Sequence, residues 1–382
     1  MAAPLAFPAT DPVGPSPGVA GDPAVRTARR LAAQLLGPTA AASDAGGVPL
    51  SHLRALGEAG LLGLGVGDDA SPAVAREVAE VLAAACGSTW FCATQHTTPA
   101  AMVAASDDAA LRAELGAPLA AGRLLAGVGF AHVRRPGPPA VTARRSGDGW
   151  VLDGRLDWVT SWGIADVLLV GAAVDDPGAE VAGGRGQLVF VVLDAVDQPG
   201  LSAAPLGLAA MGGTHTHRVD LDAVAVPPGR TAAVVDAAAW RAQDAARTVH
   251  ATPASFGPTR AALAQLAALA AARGADDQAE LAQALAGNAR ALRARAYALR
   301  EEADPDPAEA LALRAQVVDL GLRATAALVV AQGGSAMLTD DPAQRWAREA
   351  LFSLVQAQTR TSAAAVVALL ADQVAAPAVR GR

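Results

Sequence analysis

Two changes in hydrophobic periodicity divide this chain and limit the folds that it can form. From about residue 24 to 122, apolar residues recur every three or four positions, the spacing of amphipathic helices. From about 123 to 232, short segments rich in Val and Leu alternate with Gly, Pro and Asp clusters, which is typical of β-strands and turns. From about 233 onward, long helical patterns return.

The middle region contains six strand-like segments without intervening helices, which predicts an antiparallel barrel or sandwich. The four long helical segments that follow it, joined by short loops, predict a four-helix bundle. We therefore expect an α+β protein with a disordered Pro/Gly-rich leader over 1–23 and an N-terminal helical domain over 24–122. A middle β domain over 123–232 and a C-terminal four-helix bundle over 233–382 complete the expected organisation.

Composition narrows the class of protein. Of the residues, 52% are hydrophobic but only 3% are aromatic, so alanine dominates and favours closely packed helices. The formal charge of −7 gives no basic surface for nucleic acid. Cys86 and Cys92 lie on different faces of one predicted helix, so we expect no disulfide and a reducing compartment. No signal peptide or membrane-spanning run is recognisable, so we expect a cytoplasmic protein without membrane partners.

The segment GWVLDGRLDWVTSWGIADVLLVGA, residues 149–172, carries the most informative side chains. Asp153–Gly154 predicts a tight hairpin, after which a strand carries Trp158 and ends in Thr160 and Ser161. Residues two apart on a strand share a face, so Trp158 provides an apolar wall and Thr160 a hydrogen-bonding group beside it. That pair suits the edge of a planar polar ring such as isoalloxazine. A core Trp followed by turn-forming hydroxyls is the alternative.

Four segments, in order along the chain, resemble the acyl-CoA dehydrogenases. GRLDWVTSWGIADVLLVGA resembles the family's flavin-contacting hairpin, and LGLAAMGGTHTHRVDLDAVAVPPGR resembles the stretch that ends its β domain. GPTRAALAQL resembles the start of the first bundle helix, and VVAQGGSAMLTDDPAQRWAREALF resembles a later bundle segment. The resemblance covers roughly 24–375. It implies oxidation of an acyl-CoA or similar small thioester at Cα–Cβ by a homodimer or homotetramer assembled through the C-terminal bundle.

The same resemblance assigns the cofactor's ring to specific residues. Trp158 and Thr160 match the family's flavin contacts, and Ser161 is adjacent to them. The strand GVGFAHV matches the family strand that borders the ring, which adds Phe130 and Ala131.

On the adenine side the match is incomplete. Gly333 and Gly334 match the glycine pair that lets a neighbouring subunit approach the ADP part of the cofactor, although a helix C-cap is the alternative. The family's Arg-x-x-Phe-Gly motif is absent, and Val330 stands where the family has a Gln. The resemblance therefore implies FAD, with FMN left open.

The family's catalytic base is missing at both positions where it occurs. Ala357 aligns with the usual Glu, and no Glu occurs near the alternative position at Arg247 and Thr248. Dehydrogenation at Cα–Cβ needs a group that accepts the α-proton, which an Ala side chain cannot do.

His96 is the candidate catalytic residue in place of that Glu. It lies on a helix that approaches the substrate in the family, and its ordinary pKa suits acid–base chemistry near neutrality. A histidine satisfied within the core is the alternative. Asp244 and Glu349 are the nearest carboxylates, Glu349 aligning with a structural acid of the family, and His250 is a weaker candidate.

Two further groups of residues carry weaker signals. His215 and His217 could share a strand face, but no third ligand accompanies them, so we expect no metal site. Arg134 and Arg135 replace a loop of the family and could pair with phosphate, the alternative being a solvated charge pair.

Two other functions remain open. Monooxygenases of the same fold receive reduced flavin from a separate reductase and need no α-proton base. Thr160 and Ser161 fit their requirement for a hydroxyl near the ring, whereas Gln356 and Gln358 stand in the region where these enzymes have a His. A non-catalytic subunit is the third possibility, since both the base and the adenine-side motifs are missing.

Overall fold

The computed structural model describes residues 11–64, 66, 71–135, 137–175 and 186–375. Their backbone contacts form two compact units. We call 16–82 with 86–243 the sheet unit, and 11–15 with 83–85 and 244–375 the bundle unit.

Among the described residues, seven helices precede the sheet. The first begins at a proline, which has no backbone N–H to leave unpaired, and the Asp22 side chain accepts a hydrogen bond from Ala24 N at 2.8 Å. π-Helical turns over Ala32–Leu36 and Arg112–Gly116 connect α1 to α2 and α6 to α7. The helices are α1 (Pro23–Leu31), α2 (Gly37–Gly46), α3 (Leu50–Glu58), α4 (Pro72–Ala85), α5 (Gly87–Ala104), α6 (Ala109–Leu111) and α7 (Ala117–Ala120).

Eight strands form one sheet in the order β6-β7-β3-β2-β4-β5-β8, and β1 pairs with β4. Most pairings are antiparallel, as expected, but β1 and β2 each pair parallel to β4. They can both do so because they occupy successive parts of the same edge of β4. The strands are β1 (Ala126–Gly129), β2 (Val141–Ser146), β3 (Gly149–Val159), β4 (Val167–Val174), β5 (Gln187–Asp194), β6 (Leu201–Pro205), β7 (His217–Val226) and β8 (Thr231–Asp236).

The prediction of a tight hairpin turn at Asp153–Gly154 is wrong. Strand β3 runs unbroken through both residues, and the tight turn lies at Gly147–Asp148, where Ser146 pairs with Gly149. Asp153 instead accepts a hydrogen bond from Ala223 N at 2.8 Å, opposite an irregularity in the pairing of β3 with β7. Gly154 has φ +136° because the backbone of Ala140 lies where a side chain would stand.

Both faces of the sheet are buried at its strands β4 and β5. Along β4, Leu168 and Val170 pack in one apolar cluster, and Val167 and Leu169 pack in another that includes residues of α5 and α7. This alternation follows from the two-residue period of a strand. Each fully buried Leu or Val contributes roughly 1.5–3 kcal/mol, so the sheet unit has a substantial core.

The C-terminal helices are longer. Of the four long helical segments predicted after the β region, the first is divided at a short 3₁₀ turn over Pro253–Ser255 and the last is divided at 354–359. Helix α11 contacts α9, α10, α12 and α13, so the predicted α+β class with a C-terminal helical bundle is confirmed. The helices are α8 (Ala237–Thr248), α9 (Phe256–Arg273), α10 (Asp276–Glu301), α11 (Pro307–Gln332), α12 (Pro342–Ser353) and α13 (Arg360–Ala375).

None of the helices in the described ranges has both the length and the apolar character needed to span a membrane.

Part of the leader expected to be disordered makes defined contacts with the bundle. Arg260 of α9 donates to Asp11 Oδ2 from Nε at 2.8 Å and from Nη2 at 2.6 Å. Arg293 of α10 donates to the Gly14 carbonyl at 2.9 Å, and Val13 between them is 3% exposed. Composition suggests disorder here, but the guanidinium groups of Arg260 and Arg293 bind residues 11–15, and the buried side chain of Val13 also holds this segment in place. Residues 1–10 of the leader lie outside the described residues.

Candidate functional site

Trp158 lies at a β-bulge in strand β3. Between Leu156 and Val159, β3 contributes two residues, Asp157 and Trp158, where β7 contributes one. A bulge of this kind bends the strand and redirects its side chains. Trp158 is 51% exposed, whereas Trp150 on the same strand is 2% exposed. The bulge therefore accompanies an indole that is available to a ligand.

A shallow, solvent-open groove lies beside this indole, and its volume of about 220 Å³ includes open solvent. It forms where β1 ends and the chain enters a 3₁₀ turn over Ala131–Arg134. We call it the Trp158 groove, and its lining residues are Gly129, Phe130, Ala131, His132, Arg135, Leu156, Asp157 and Trp158. The structure thus brings together three of the predicted ring contacts, namely Phe130, Ala131 and Trp158.

Phe130 anchors the turn that forms one wall of the groove. It is 5% exposed, and its ring packs edge-on against Phe190 at 5.6 Å and against Trp240 at 6.0 Å between centroids. Such edge-to-face pairs add about 0.5–1.5 kcal/mol beyond the area that they bury. The backbone position of Ala131 is fixed as a consequence.

The rim of the groove carries charge. Asp157 contacts Arg135 Nη1 at 3.3 Å and Arg218 Nε at 3.8 Å, and all three side chains are at least 41% exposed. Exposed pairs of this kind contribute about 0–1 kcal/mol. Arg135, one of the two arginines considered for phosphate, is therefore weakly held by a carboxylate.

His132 also lines the groove, although the sequence analysis did not single it out. Its Nε2 is shielded from solvent, so this atom is not open to the groove, and it has no hydrogen-bond partner among the described residues. The pKa of His132 is lowered to about 4, chiefly by burial and also by the charge of Arg135, while a hydrogen bond to the backbone of Gly171 and the charge of Asp157 oppose that shift. The sequence did contain a signal for His132, because this residue directly follows Ala131 at the end of the strand that the resemblance assigns to the flavin ring.

Thr160 lies in the interior and not in the wall of the Trp158 groove. It is 3% exposed, and its hydroxyl lies 3.1 Å from that of Thr216, which in turn lies 2.8 Å from that of Thr214. Strand β3 ends at Val159, so the alternation expected to place Thr160 beside Trp158 does not extend that far. Contact between Thr160 and the ring stays a prediction.

Ser161 is likewise buried, with a left-handed φ of +69°. Its hydroxyl is shielded from solvent and has no hydrogen-bond partner among the described residues, and the thiol of Cys92 donates to the Thr214 carbonyl at 3.6 Å. Burial raises the pKa of Cys92 to about 12, so this thiol is protonated and unreactive near neutrality. Ser161 as a ring contact also stays a prediction.

His96 is 1% exposed and is tied to the backbone through both ring nitrogens. Ala126 N donates to Nδ1 at 3.1 Å, so Nδ1 carries no proton, and Nε2 donates to the Leu119 carbonyl at 2.9 Å. Burial lowers its pKa. The structure therefore gives His96 the role of joining α5 to α7 and β1, and its predicted acid–base function has no free nitrogen available in this arrangement.

Comparison with solved structures identifies the fold of this chain. Glutaryl-CoA dehydrogenase from Mycobacterium smegmatis superposes with a TM-score of 0.73 at 19% identity, over 91% of this chain and 93% of that chain. Butyryl-CoA dehydrogenase from Megasphaera elsdenii superposes with a TM-score of 0.71 at 18% identity, over 96% and 100%. The chain has the acyl-CoA dehydrogenase fold.

The acyl-CoA dehydrogenase fold is not confined to dehydrogenases. Dibenzothiophene monooxygenase from Paenibacillus sp. A11-2 superposes with a TM-score of 0.69 at 19% identity, over 92% of this chain and 97% of that chain. No protein-family model matches the chain, and neither does any curated protein. At these identities the likeness establishes the fold alone, so function is argued from the site.

Ala357, which the sequence resemblance aligns with the family's base, lies in the loop between α12 and α13. Ala357 has φ +47° there, and its carbonyl accepts a hydrogen bond from Arg314 Nη2 at 3.3 Å. Glu349 is 4% exposed and its carboxylate lies 2.7 Å from Arg345 Nη1, and Asp244 is also buried. Burial and the charge of Arg300 lower the pKa of His250. The nearest carboxylate at the end of α12 is therefore paired with a guanidinium.

Gly333 and Gly334 lie at the end of α11. Gly333 has φ +75° and ψ −153°, and its N–H bonds to the Val329 carbonyl, so it terminates the helix as a C-cap. Both glycines are exposed. Their predicted contact with the ADP part of a cofactor stays a prediction.

The two histidines considered for a metal bind backbone instead. His215 Nε2 lies 3.0 Å from the Val48 carbonyl, and His217 Nδ1 lies 3.1 Å from the His215 carbonyl. Within the described part of the chain, no three His, Cys, Asp or Glu side chains are placed to hold a metal ion.

Proposed function

We propose that this chain is a flavin-dependent oxidoreductase of the acyl-CoA dehydrogenase type, which oxidises an acyl-CoA or similar small thioester at Cα–Cβ. The Trp158 groove is the observation that supports this most. An exposed indole lies there, in a lining that also includes the ion pair of Asp157 and Arg135. An aromatic wall with a few convergent polar groups suits a planar ring that has apolar faces and polar edges.

The residues present fit a flavin in part. Ala131, His132 and Trp158 would border its ring, and Gly333 and Gly334 of a neighbouring subunit would let that subunit's backbone approach the ADP part of FAD. FMN remains compatible, because the adenine-side motifs of the family are absent. When bound, the flavin supplies two-electron redox chemistry, while the chain binds the ring, orients it and limits the access of water.

We also propose that the protein forms a homodimer or homotetramer through its bundle and works in the cytoplasm. Apolar side chains on α12, α13 and the loop between them are exposed by 46% or more, which is typical of a surface that is covered in an assembly. Cys86 and Cys92, both among the described residues, are not joined in a disulfide, as suits a reducing compartment. These exposed side chains are Leu351, Val355, Val367, Leu370 and Val374.

A second candidate function is a monooxygenase that uses reduced flavin. The observation that favours it is the residue at the family's base position, since the Ala357 side chain cannot accept a proton and the Glu349 carboxylate is paired with Arg345. Oxygenation with reduced flavin does not begin with removal of an α-proton, so it does not need this base.

An absorbance spectrum of the purified protein, recorded before and after addition of FAD or FMN, tests the proposal. Oxidised-flavin bands that bleach anaerobically with a series of straight-chain acyl-CoA thioesters support dehydrogenation. Capture of flavin only in its reduced form supports the monooxygenase. A protein that binds neither flavin in either redox state contradicts both enzymes and leaves the non-catalytic subunit.

A further inference from the structure

Helix α13, the last of the bundle unit, presents an apolar face to solvent. Val367 is 64% exposed, Leu370 46% and Val374 87%. From 361 to 371 the chain carries no charged residue. A contiguous apolar surface of this kind is typical of a face that another protein covers.

We propose that this face binds the same face of a second copy of the chain, with the two α13 helices antiparallel. The inference rests on the proposed assembly through the bundle. It goes beyond that assembly by naming the helix, its orientation and the residues that set the register of the contact.

The first argument is the spacing of the exposed residues. Five of them follow one another at intervals of four, three, four and three positions, which is the a/d spacing that keeps one seam of a helix against a partner helix. Ser362, on the opposite side of α13, is 4% exposed, so the helix packs on the bundle through that side. The five residues, which we call the α13 seam, are Arg360, Ala364, Val367, Ala371 and Val374.

The second argument is the alternation of small and large side chains along the seam, from Ala364 to Val374. In a parallel pair of identical helices each seam residue faces its own copy, so Ala would face Ala and Val would face Val. In an antiparallel pair, Ala364 of one copy faces Val367 of the other, and the reverse contact forms by symmetry. Facing layers of one small and one large side chain interdigitate and keep the helices evenly spaced.

The third argument is the charge at the two ends of the apolar face. With Ala364 opposite the second copy's Val367, Arg360 lies level with the second copy's Asp372, and both residues are exposed. The two-fold symmetry repeats this pair, so two opposite-charge contacts flank the apolar centre. In a parallel pair, Arg360 would face Arg360 and Asp372 would face Asp372. The charges therefore select the antiparallel orientation.

Charge reversal tests this orientation. Arg360→Asp and Asp372→Arg each place like charges at both symmetric positions, so each should weaken self-association about tenfold. The double variant Arg360→Asp/Asp372→Arg should restore most of the loss, because opposite charges face each other again. Arg155→Asp, which reverses an exposed arginine of the sheet unit, is the matched control and should leave self-association unchanged.

Sedimentation equilibrium of the full chain over a range of concentrations measures the dissociation constants. Wild-type association in both single variants, or weakened association that the double variant does not restore, overturns the inference and leaves assembly through another part of the bundle intact. A wild type that is monomeric at every concentration contradicts the proposed assembly as well. Neither result bears on the flavin chemistry, which the absorbance spectrum tests separately.

Disulfide cross-linking tests the register. Both native cysteines are buried, so cysteines introduced on α13 can be followed separately. Oxidation of a mixture of Ala364→Cys and Val367→Cys should give a cross-linked heterodimer, because these residues face each other. Val374→Cys alone should not cross-link, since its two copies lie about 25 Å apart along the antiparallel helices. Cross-linking of Val374→Cys without cross-linking in the mixture indicates parallel helices and overturns the inference.

Discussion

The interior of the sheet unit and the Trp158 groove use the same residue types in opposite ways. Inside, His96 has backbone partners on both ring nitrogens, and Trp150 is 2% exposed with its Nε1 donating to Thr231 at 3.1 Å. In the groove lining, His132 has one nitrogen without a partner among the described residues, and Trp158 is 51% exposed. Residue type therefore does not distinguish a structural side chain from a ligand-binding one; the surroundings of each polar atom and ring face do.

The two tryptophans of β3 give the largest expected difference. Trp150→Ala should lower the free energy of unfolding by about 3–5 kcal/mol, because it leaves a large cavity in the core. Trp158→Ala should change it by less than about 1 kcal/mol and weaken flavin binding about tenfold, since the indole faces a ligand. Urea denaturation and flavin titration of both variants measure this. A strongly destabilised Trp158→Ala with unchanged flavin affinity contradicts the distinction.

The two histidines give the next difference. His96→Leu should lower the free energy of unfolding by about 3 kcal/mol, since the Leu119 carbonyl and the Ala126 N–H lose their buried partner. His132→Asn should lower it by less than about 1 kcal/mol. Chemical denaturation compares them. A His96→Leu protein of wild-type stability that binds flavin but turns over no substrate would restore His96 as the acid–base residue.

The pH dependence of stability sharpens the same comparison. Burial holds the pKa of His132 at about 4, below its ordinary value of 6.5, so the unfolded chain binds a proton more readily than the folded one. Its contribution is present above pH 6.5 and is lost as the pH falls from 6.5 towards 4. Urea midpoints at pH 7 and pH 5 should therefore differ less in His132→Asn than in the wild type.

The pH dependence of stability that remains in His132→Asn comes from His52, His96 and His250, because burial also lowers the pKa values of these histidines. An identical slope in the wild type and His132→Asn would mean that the His132 imidazole does not titrate in this range.

The rim of the groove gives the smallest effect. Asp157→Asn should change the free energy of unfolding by no more than about 1 kcal/mol, because its pairs with Arg135 and Arg218 are exposed. Glu349→Gln, which removes the charge from a buried pair with Arg345, is the contrasting variant and should cost several times more. Thermal denaturation at two salt concentrations compares them, and a similar cost for both contradicts the difference in burial.

Periodicity predicted the fold class because the spacing of apolar residues, which differs between helices and strands, can be read from short stretches of the sequence. The strands that it missed, β6 and β8, are short and lie at the two ends of the sheet order, where a strand has a partner on one side only. Asp153–Gly154 was misinterpreted as a turn because a glycine that permits a close backbone approach looks the same in sequence as one that permits a hairpin.

The candidate site was only partly predictable. Trp158, Phe130 and Ala131 could be located by resemblance, and the structure places them on one groove. The bulge at Asp157 and Trp158 depends on pairing with β7, which no local pattern reveals. His132 was missed, and His96 preferred, because a histidine's hydrogen bonds come from residues distant in sequence, such as Gly171, Leu119 and Ala126.

The contacts of residues 11–15 bear on how the protein is best produced. A Pro/Gly-rich N-terminal segment is often removed before expression. Here its removal would take away the carboxylate that Arg260 binds, the carbonyl that Arg293 binds and the apolar side chain of Val13. A shortened polypeptide would then expose its helices to proteases and to aggregation during expression. Affinity tags on this protein therefore belong upstream of an intact leader, and a cleavage site should leave Asp11 and every residue after it in place.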